Sequence, residues 1–144
     1  MADKGFEPQV APFLFGDVDS LIVVDSGFAS KLIIPRTQAC EVKVKWHLDG
    51  LFAGSFGGNW KIKVGLESMG PGPEYSFSAP NVPLSAGAVV GTQRNYDATI
   101  SIPGNTVAEN AYRLVATITY VEPGNTPGPL AAYEEGPIVQ FFEP

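Results

Sequence analysis

The stretch Cys40-Glu41-Val42-Lys43-Val44-Lys45-Trp46-His47-Leu48-Asp49 decides the fold class. Its even positions are apolar or thiol side chains and its odd positions are charged or polar. Successive side chains of a strand point to opposite faces, so the segment has one buried face and one wet face. Three further stretches repeat the pattern. Trp60, Ile62, Val64 and Leu66 alternate with Lys61, Lys63, Gly65 and Glu67. Tyr96, Ala98, Ile100 and Ile102 alternate with Asp97, Thr99 and Ser101, and Tyr112, Leu114, Ala116, Ile118 and Tyr120 with Arg113, Val115, Thr117 and Thr119. Shorter strand candidates lie at residues 20–25, 31–34, 88–92 and 137–142. The first of these carries apolar residues on both faces, as a strand covered on both sides would.

Turn signals separate the runs: Asp49-Gly50, Gly57-Gly58, Gly70-Pro71-Gly72-Pro73, Pro103-Gly104-Asn105 and Pro123-Gly124-Asn125. Sixteen glycines and thirteen prolines make about a fifth of the chain, against a usual ~12%, which suits a fold of many turns. No helical apolar spacing persists without a glycine or proline breaking it. Many short strands at such spacing predict an all-β fold of two packed antiparallel sheets. With 144 residues the chain is the size of one domain, able to bury about 68–70% of the surface its unfolded form exposes. It needs neither disulfides nor a metal to fold.

The order of elements resembles the immunoglobulin-like and fibronectin-type-III-like sandwiches. In those folds strand E leads through a corner into strand F, and a tyrosine near the start of F bonds back to the corner backbone. Residues 96–102, a Pro-Gly corner, and Ala111-Tyr112-Arg113-Leu114 are similar to that sequence of events. The resemblance implies that Tyr112 is the corner tyrosine, and that Leu114 stands where antibody domains place a cysteine. It makes the stripe ending in Trp46 strand B, residues 60–66 strand C and residues 137–142 strand G, in an immunoglobulin-like Greek key. Placing B and C in opposite sheets also keeps Lys43 and Lys45 from pairing against Lys61 and Lys63, where like charges would repel.

Charge and motif content narrow the function. A formal charge of −6 with nine basic residues leaves no footprint for nucleic-acid phosphates. No apolar run approaches twenty residues, so membrane insertion is not expected. The opening Met1-Ala2-Asp3-Lys4-Gly5 lacks a basic segment followed by an apolar one, which predicts cytoplasmic synthesis without a signal peptide, compatible with incorporation into a particle. A lone Cys40 in an apolar stripe reads as a buried structural thiol. His47, the single histidine, falls on a wet face with no evident nucleophile. One histidine and one cysteine exclude the usual zinc sites. Asp17-Val18-Asp19, with Asp25, lacks the spacing of a calcium loop. Gly54-Ser55-Phe56-Gly57-Gly58 lacks the lysine of a phosphate loop. Glu134 and Glu135 are adjacent, and adjacent carboxylates seldom converge on one glycosidic bond. No catalytic residue, cofactor or metal is expected, and the chain is not expected to be an enzyme.

Apolar residues are instead spent outside the regular stripes. Phe52 and Phe56 lie in the B–C connection, and Leu130 and Tyr133 in what reads as a long F–G connection over residues 122–136. In an immunoglobulin-like sandwich these loops share one end, where the four side chains either form an interaction patch or fold back to cap the core. Residues 1–18 form an extended arm ahead of a sandwich at 19–144. The arm carries Phe6, Val10, Phe13, Leu14 and Phe15, and packs on its own domain or across a neighbouring subunit. The expected function is a structural or adaptor subunit of a protein assembly, such as a phage-like particle, injection machine, filament or shell. Its partners would be other protein subunits or further copies of the chain. The alternative is a ligand- or carbohydrate-recognition module working through Trp60, Tyr75 or Tyr96, although Trp46 and Trp60 both lie in core stripes.

Overall fold

A computed structural model of the chain describes residues 15–24, 32–50, 57–124 and 126–144. It contains ten strands: β1 Phe15–Val24, β2 Ile33–Pro35, β3 Cys40–Asp49, β4 Asn59–Ser68, β5 Tyr75–Ser78, β6 Val82–Pro83, β7 Ala88–Val90, β8 Gln93–Ile102, β9 Asn110–Glu122 and β10 Thr126–Phe142. A single 3-10 turn, Leu84–Ala86, separates β6 from β7. The strands form a four-stranded sheet, β1-β3-β8-β7, and a six-stranded sheet, β2-β10-β9-β4-β5, with β6 also on β4. The two-sheet, all-β architecture expected from the alternation is the one observed.

Strict alternation produces the four long strands. In β3 every even residue from Cys40 to Leu48 is buried, and β4, β8 and β9 bury their apolar stripes in the same way. β3 and β4 follow each other in sequence yet lie in different sheets, as do β8 and β9. Lys43 and Lys45 therefore stand beside Thr99 and Asp97, while Lys61 and Lys63 stand beside Thr119 and Thr117. β3 ends where the Asp49 carboxylate accepts from the Gly50 amide (2.6 Å) and the Thr92 hydroxyl (2.7 Å), tying this turn to the β7–β8 turn. Those two bonds, the threonine's first, hold the Asp49 carboxyl below its ordinary value.

Aromatic clusters fill both ends of the core. At one end Trp46 and Tyr96 of the smaller sheet stack at 5.7 Å, and Trp60 of the larger sheet meets both edge-on at 6.2 and 5.6 Å. Tyr96 and Tyr120 remain satisfied there by donating to the carbonyls of Leu84 (2.8 Å) and Gly57 (2.7 Å). At the other end Tyr112 packs between Tyr75 and Phe141. Its hydroxyl donates to the Ala108 carbonyl at 2.8 Å, and the Ala108 amide donates to the Tyr75 hydroxyl at 3.1 Å. Arg36 fixes the same corner through Val107 and reaches Glu143.

The short strands β5 and β6 have no counterpart in the sequence reading, and two of the expected strands, β1 and β10, differ from it and each contains a bulge. β1 starts at Phe15, so residues 15–18 of the expected arm are part of the sandwich, with Val18 buried opposite Trp46. An extra residue at Asp19 shifts the register, moving the buried phase from Gly16 and Val18 to Leu21 and Val23. β10 begins at Thr126, not near residue 137, and most of the expected F–G loop is therefore strand. Its register slips between Glu135 and Ile138, so the buried side changes from Ala132 and Glu134 to Val139 and Phe141. Gly136 sits in this slip because a Cβ there would come within 2.9 Å of Leu21 on the opposite sheet. Pro137 is tolerated because a bulge removes the need for its missing N–H.

Replacing Tyr112 by Phe leaves the Ala108 carbonyl and corner short of a donor. It is expected to lower unfolding stability by about 1–3 kcal/mol in denaturant titrations. Cys40 is buried, and burial first, with Glu41 second, pushes its thiol up to about 11. It should label slowly with a thiol reagent in the native chain and rapidly after denaturation. The unfolded chain ionises this thiol first, so its contribution to stability falls as the pH rises from the ordinary thiol range through about 11.

Candidate functional site

The outward-facing residues of the larger sheet form its most distinctive surface. Register places them in rows across β10, β9 and β4: Ala131-Thr119-Lys61, Tyr133-Thr117-Lys63, Glu135-Val115-Gly65 and Ile138-Arg113-Glu67. A further row holds Gln140 and Ala111, whose carbonyl accepts from the Met69 amide, with Ile33 of β2 beside Gln140. A sheet face in water is ordinarily polar. Here Tyr133 is 40%, Ile138 44%, Met69 50% and Ile33 65% exposed, on or at the rim of one face.

The centre of the face is shallow. Val115 is buried although it points outward, and a Cβ on Gly65 would meet its methyl group at 3.0 Å. Lys61, Lys63, Thr117 and Thr119 line a depression of ≈ 360 Å³ above this centre. Below it, Arg113 approaches Glu135 at 3.8 Å. The Tyr133 hydroxyl is held in its neutral form: burial raises its pKa most, Glu67 and Glu135 add to the rise, and Arg113 opposes it. Three cations and two carboxylates share the face of a chain whose total charge is −6.

Tyr133, expected in a loop at the sandwich end, is thus a strand residue on the sheet face. The loop placement failed because Pro123, Pro127 and Pro129 read as connector residues. Leu130 also belongs to β10, and Phe15 to β1, but their side chains lie outside the described residues, as do Phe6, Phe13, Phe52 and Phe56. Of the expected loop patch, only the Tyr133 side chain lies within the described residues, and it stands on the sheet face. Trp46, Trp60 and Cys40 are core residues. Of the aromatics considered for sugar binding, Trp60 and Tyr96 are buried and Tyr75 packs partly against the core. Ile33, Met69 and Ile138 were missed by sequence reasoning. Ile138 had a signal, since it is apolar on the wet side of a strand whose buried side holds Val139 and Phe141.

The remaining polar candidates have structural partners or diverge. His47 is half-buried, and its Nδ1 lies 2.7 Å from the Asp19 carboxylate across the smaller sheet. Glu134 points into the core while Glu135 points out to Arg113, so the two do not converge. Among the described residues, no three His, Cys, Asp or Glu side chains gather closely enough to hold a metal ion, and no helix is long and apolar enough to cross a membrane.

The chain bears a likeness to known proteins. It is a likeness of fold. No family model and no curated protein matches the sequence. Four chains in solved structures match in shape. One is the crystal structure of the C-terminal domain of wzt, with a TM-score of 0.54 and 13% identity, covering 90% of this chain and 74% of that one. At that identity only the β-sandwich is shared.

The electrostatics of the face are testable on Tyr133. In a chain with 13C-labelled tyrosine rings, its titration should lie above that of free tyrosine, and Glu67→Gln should bring it down. An unchanged midpoint in the variant would place Glu67 too far from the ring to act on it.

Proposed function

We propose that the chain is a non-enzymatic structural or adaptor subunit of a larger protein assembly, acting through protein–protein contacts on the outer face of its six-stranded sheet. The observation that carries this reading is the placement of Tyr133, Ile138, Met69 and Ile33 on that face, at positions where an unpartnered sheet would carry polar side chains. Exposed apolar area gathered on one surface and rimmed by charge is what protein interfaces bury. The immunoglobulin-like reading of the sandwich draws support from the corner bond of Tyr112 to Ala108 and from the strand orders β1-β3-β8-β7 and β10-β9-β4-β5. A fold of this kind fixes no activity, so the function rests on the surface.

A second reading, recognition of a small polar ligand or glycan, draws on the depression between Lys61, Lys63, Thr117 and Thr119 with Tyr133 beside it. It predicts binding on a glycan array that is lost in Lys63→Ala.

A photoreactive phenylalanine analogue placed at residue 138 in cells that naturally make the chain should form an adduct with a discrete protein subunit. The same analogue at residue 97, on the opposite sheet, should not. Equal adducts at both positions, or none at 138, would remove the assigned face.

A further inference from the structure

The interaction-face reading leaves the partner open, and the pattern of the face narrows it. We infer that the partner is a second copy of this chain, packed face to face through the two larger sheets with their strands running in opposite directions. The inference rests on that reading and adds to it the identity and register of the partner.

The face is complementary to itself about one row. Taking Glu135-Val115-Gly65 as the centre, Lys63 lies one row above it on β4 and Glu67 one row below. Tyr133 and Ile138 hold the same positions on β10, and Thr117 and Arg113 on β9. A two-fold axis lying in the interface along this row turns each strand onto its own copy in reverse. Lys63 of one copy then faces Glu67 of the other, Tyr133 faces Ile138, and Thr117 faces Arg113, each contact made twice. Two rows out, the stem of Lys61 covers Met69. Gly65 and the sunken Val115 leave the centre low enough for the two sheets to close at the usual ~10 Å.

The alternative two-fold axis, parallel to the strands, fits worse. It keeps each residue at its own level, so it sets β10 over β4 with Tyr133 above Lys63 and Glu135 above Gly65. No carboxylate then meets a lysine of the same row. Within one chain Lys63 and Glu67 are four strand residues apart, roughly 13 Å, too far to pair with each other. With the axis along the row, Glu135 instead faces its own copy, and Arg113, 3.8 Å from it, supplies the countercharge. Eight residues on each of β10, β9 and β4, with the four of β5 and the three of β2, at ~3.4 Å by ~4.8 Å each, give roughly 500 Å² per copy, or about 1,000 Å² in all. That meets the ~1,000 Å² a biological interface needs and points to a dimer at the weaker end of the range.

Charge exchange tests the register. In sedimentation equilibrium of the full chain, the unmodified protein is expected to dimerise. Lys63→Glu should weaken the dimer on the order of tenfold or more, by setting it against Glu67 of the other copy. Lys63→Glu combined with Glu67→Lys should restore it, because each cross-pair is re-formed with its signs exchanged. Lys63→Glu stands beside Thr117 and Ser78 in its own chain, so the fold should tolerate it, with the melting temperature as the check. A monomer at every concentration, a dimer indifferent to Lys63→Glu, or a double variant no tighter than the single would overturn the inference. An adduct at residue 138 with a different protein, alongside a monomeric chain, would overturn self-association while leaving the interaction face standing. Failure of both measurements would remove the face itself.

Discussion

The contact between Trp46 and Trp60 is the constraint on which the sandwich depends. Consecutive strands β3 and β4, and again β8 and β9, lie in different sheets, so at this end the sheets are joined by side-chain packing. Trp46 and Tyr96 come from one sheet and Trp60 and Tyr120 from the other, and their rings interlock edge-to-face and stacked across the gap. Each edge-to-face pair contributes roughly 0.5–1.5 kcal/mol beyond the area it buries. Antibody domains place a disulfide between the sheets beside a buried tryptophan. This chain has one cysteine, with Leu114 on strand β9. Close packing of large rings therefore carries the cohesion that a covalent bridge carries elsewhere.

The fold was legible wherever a strand keeps one phase. β3, β4, β8 and β9 bury the residues that alternation assigned to them, because nothing along their length changes which side faces the core. β1 and β10 were half-read for a local reason. Asp19 and the Gly136-Pro137 pair each add a residue, and one added residue exchanges the two faces of everything beyond it. The two halves of β10 thus read as a loop followed by a short strand. The same slip concealed the candidate face. Tyr133 and Ile138 differ in parity, so no simple period joins them, although both point outward. Phe6, Phe13, Phe52 and Phe56 are apolar residues in unpatterned stretches and fall outside the described residues.

The two outer faces of the sandwich contrast in how they satisfy their polar groups. On the smaller sheet Asp19 holds His47, and Lys45 stands in register with both Ser20 and Asp97, so complementary charges meet within the chain. On the larger sheet Lys61 and Lys63 stand beside threonines, and apolar side chains interrupt the polar rows. The larger sheet pairs Arg113 with Glu135 but leaves Tyr133, Ile138, Met69 and Ile33 exposed. The smaller sheet has two edge strands, ten-residue β1 and three-residue β7; Val89 and Val90 are exposed on the latter, but so short an edge offers little for strand addition.

β2 runs parallel to β10, bonded through the Gln140 amide to the Leu32 carbonyl and the Arg36 amide to the Phe142 carbonyl, both at 2.8 Å. Because the two strands point the same way, a pull toward the chain's start on β2 and toward its end on β10 is directed oppositely along one shared axis. The bonds between them are then loaded together in shear, and none can open ahead of the rest as in a zipper. The salt bridge from Arg36 to Glu143 at 3.2 Å lies just beyond the last of these bonds and resists the same sliding. A load applied along this pair of strands is therefore met by all of its bonds at once.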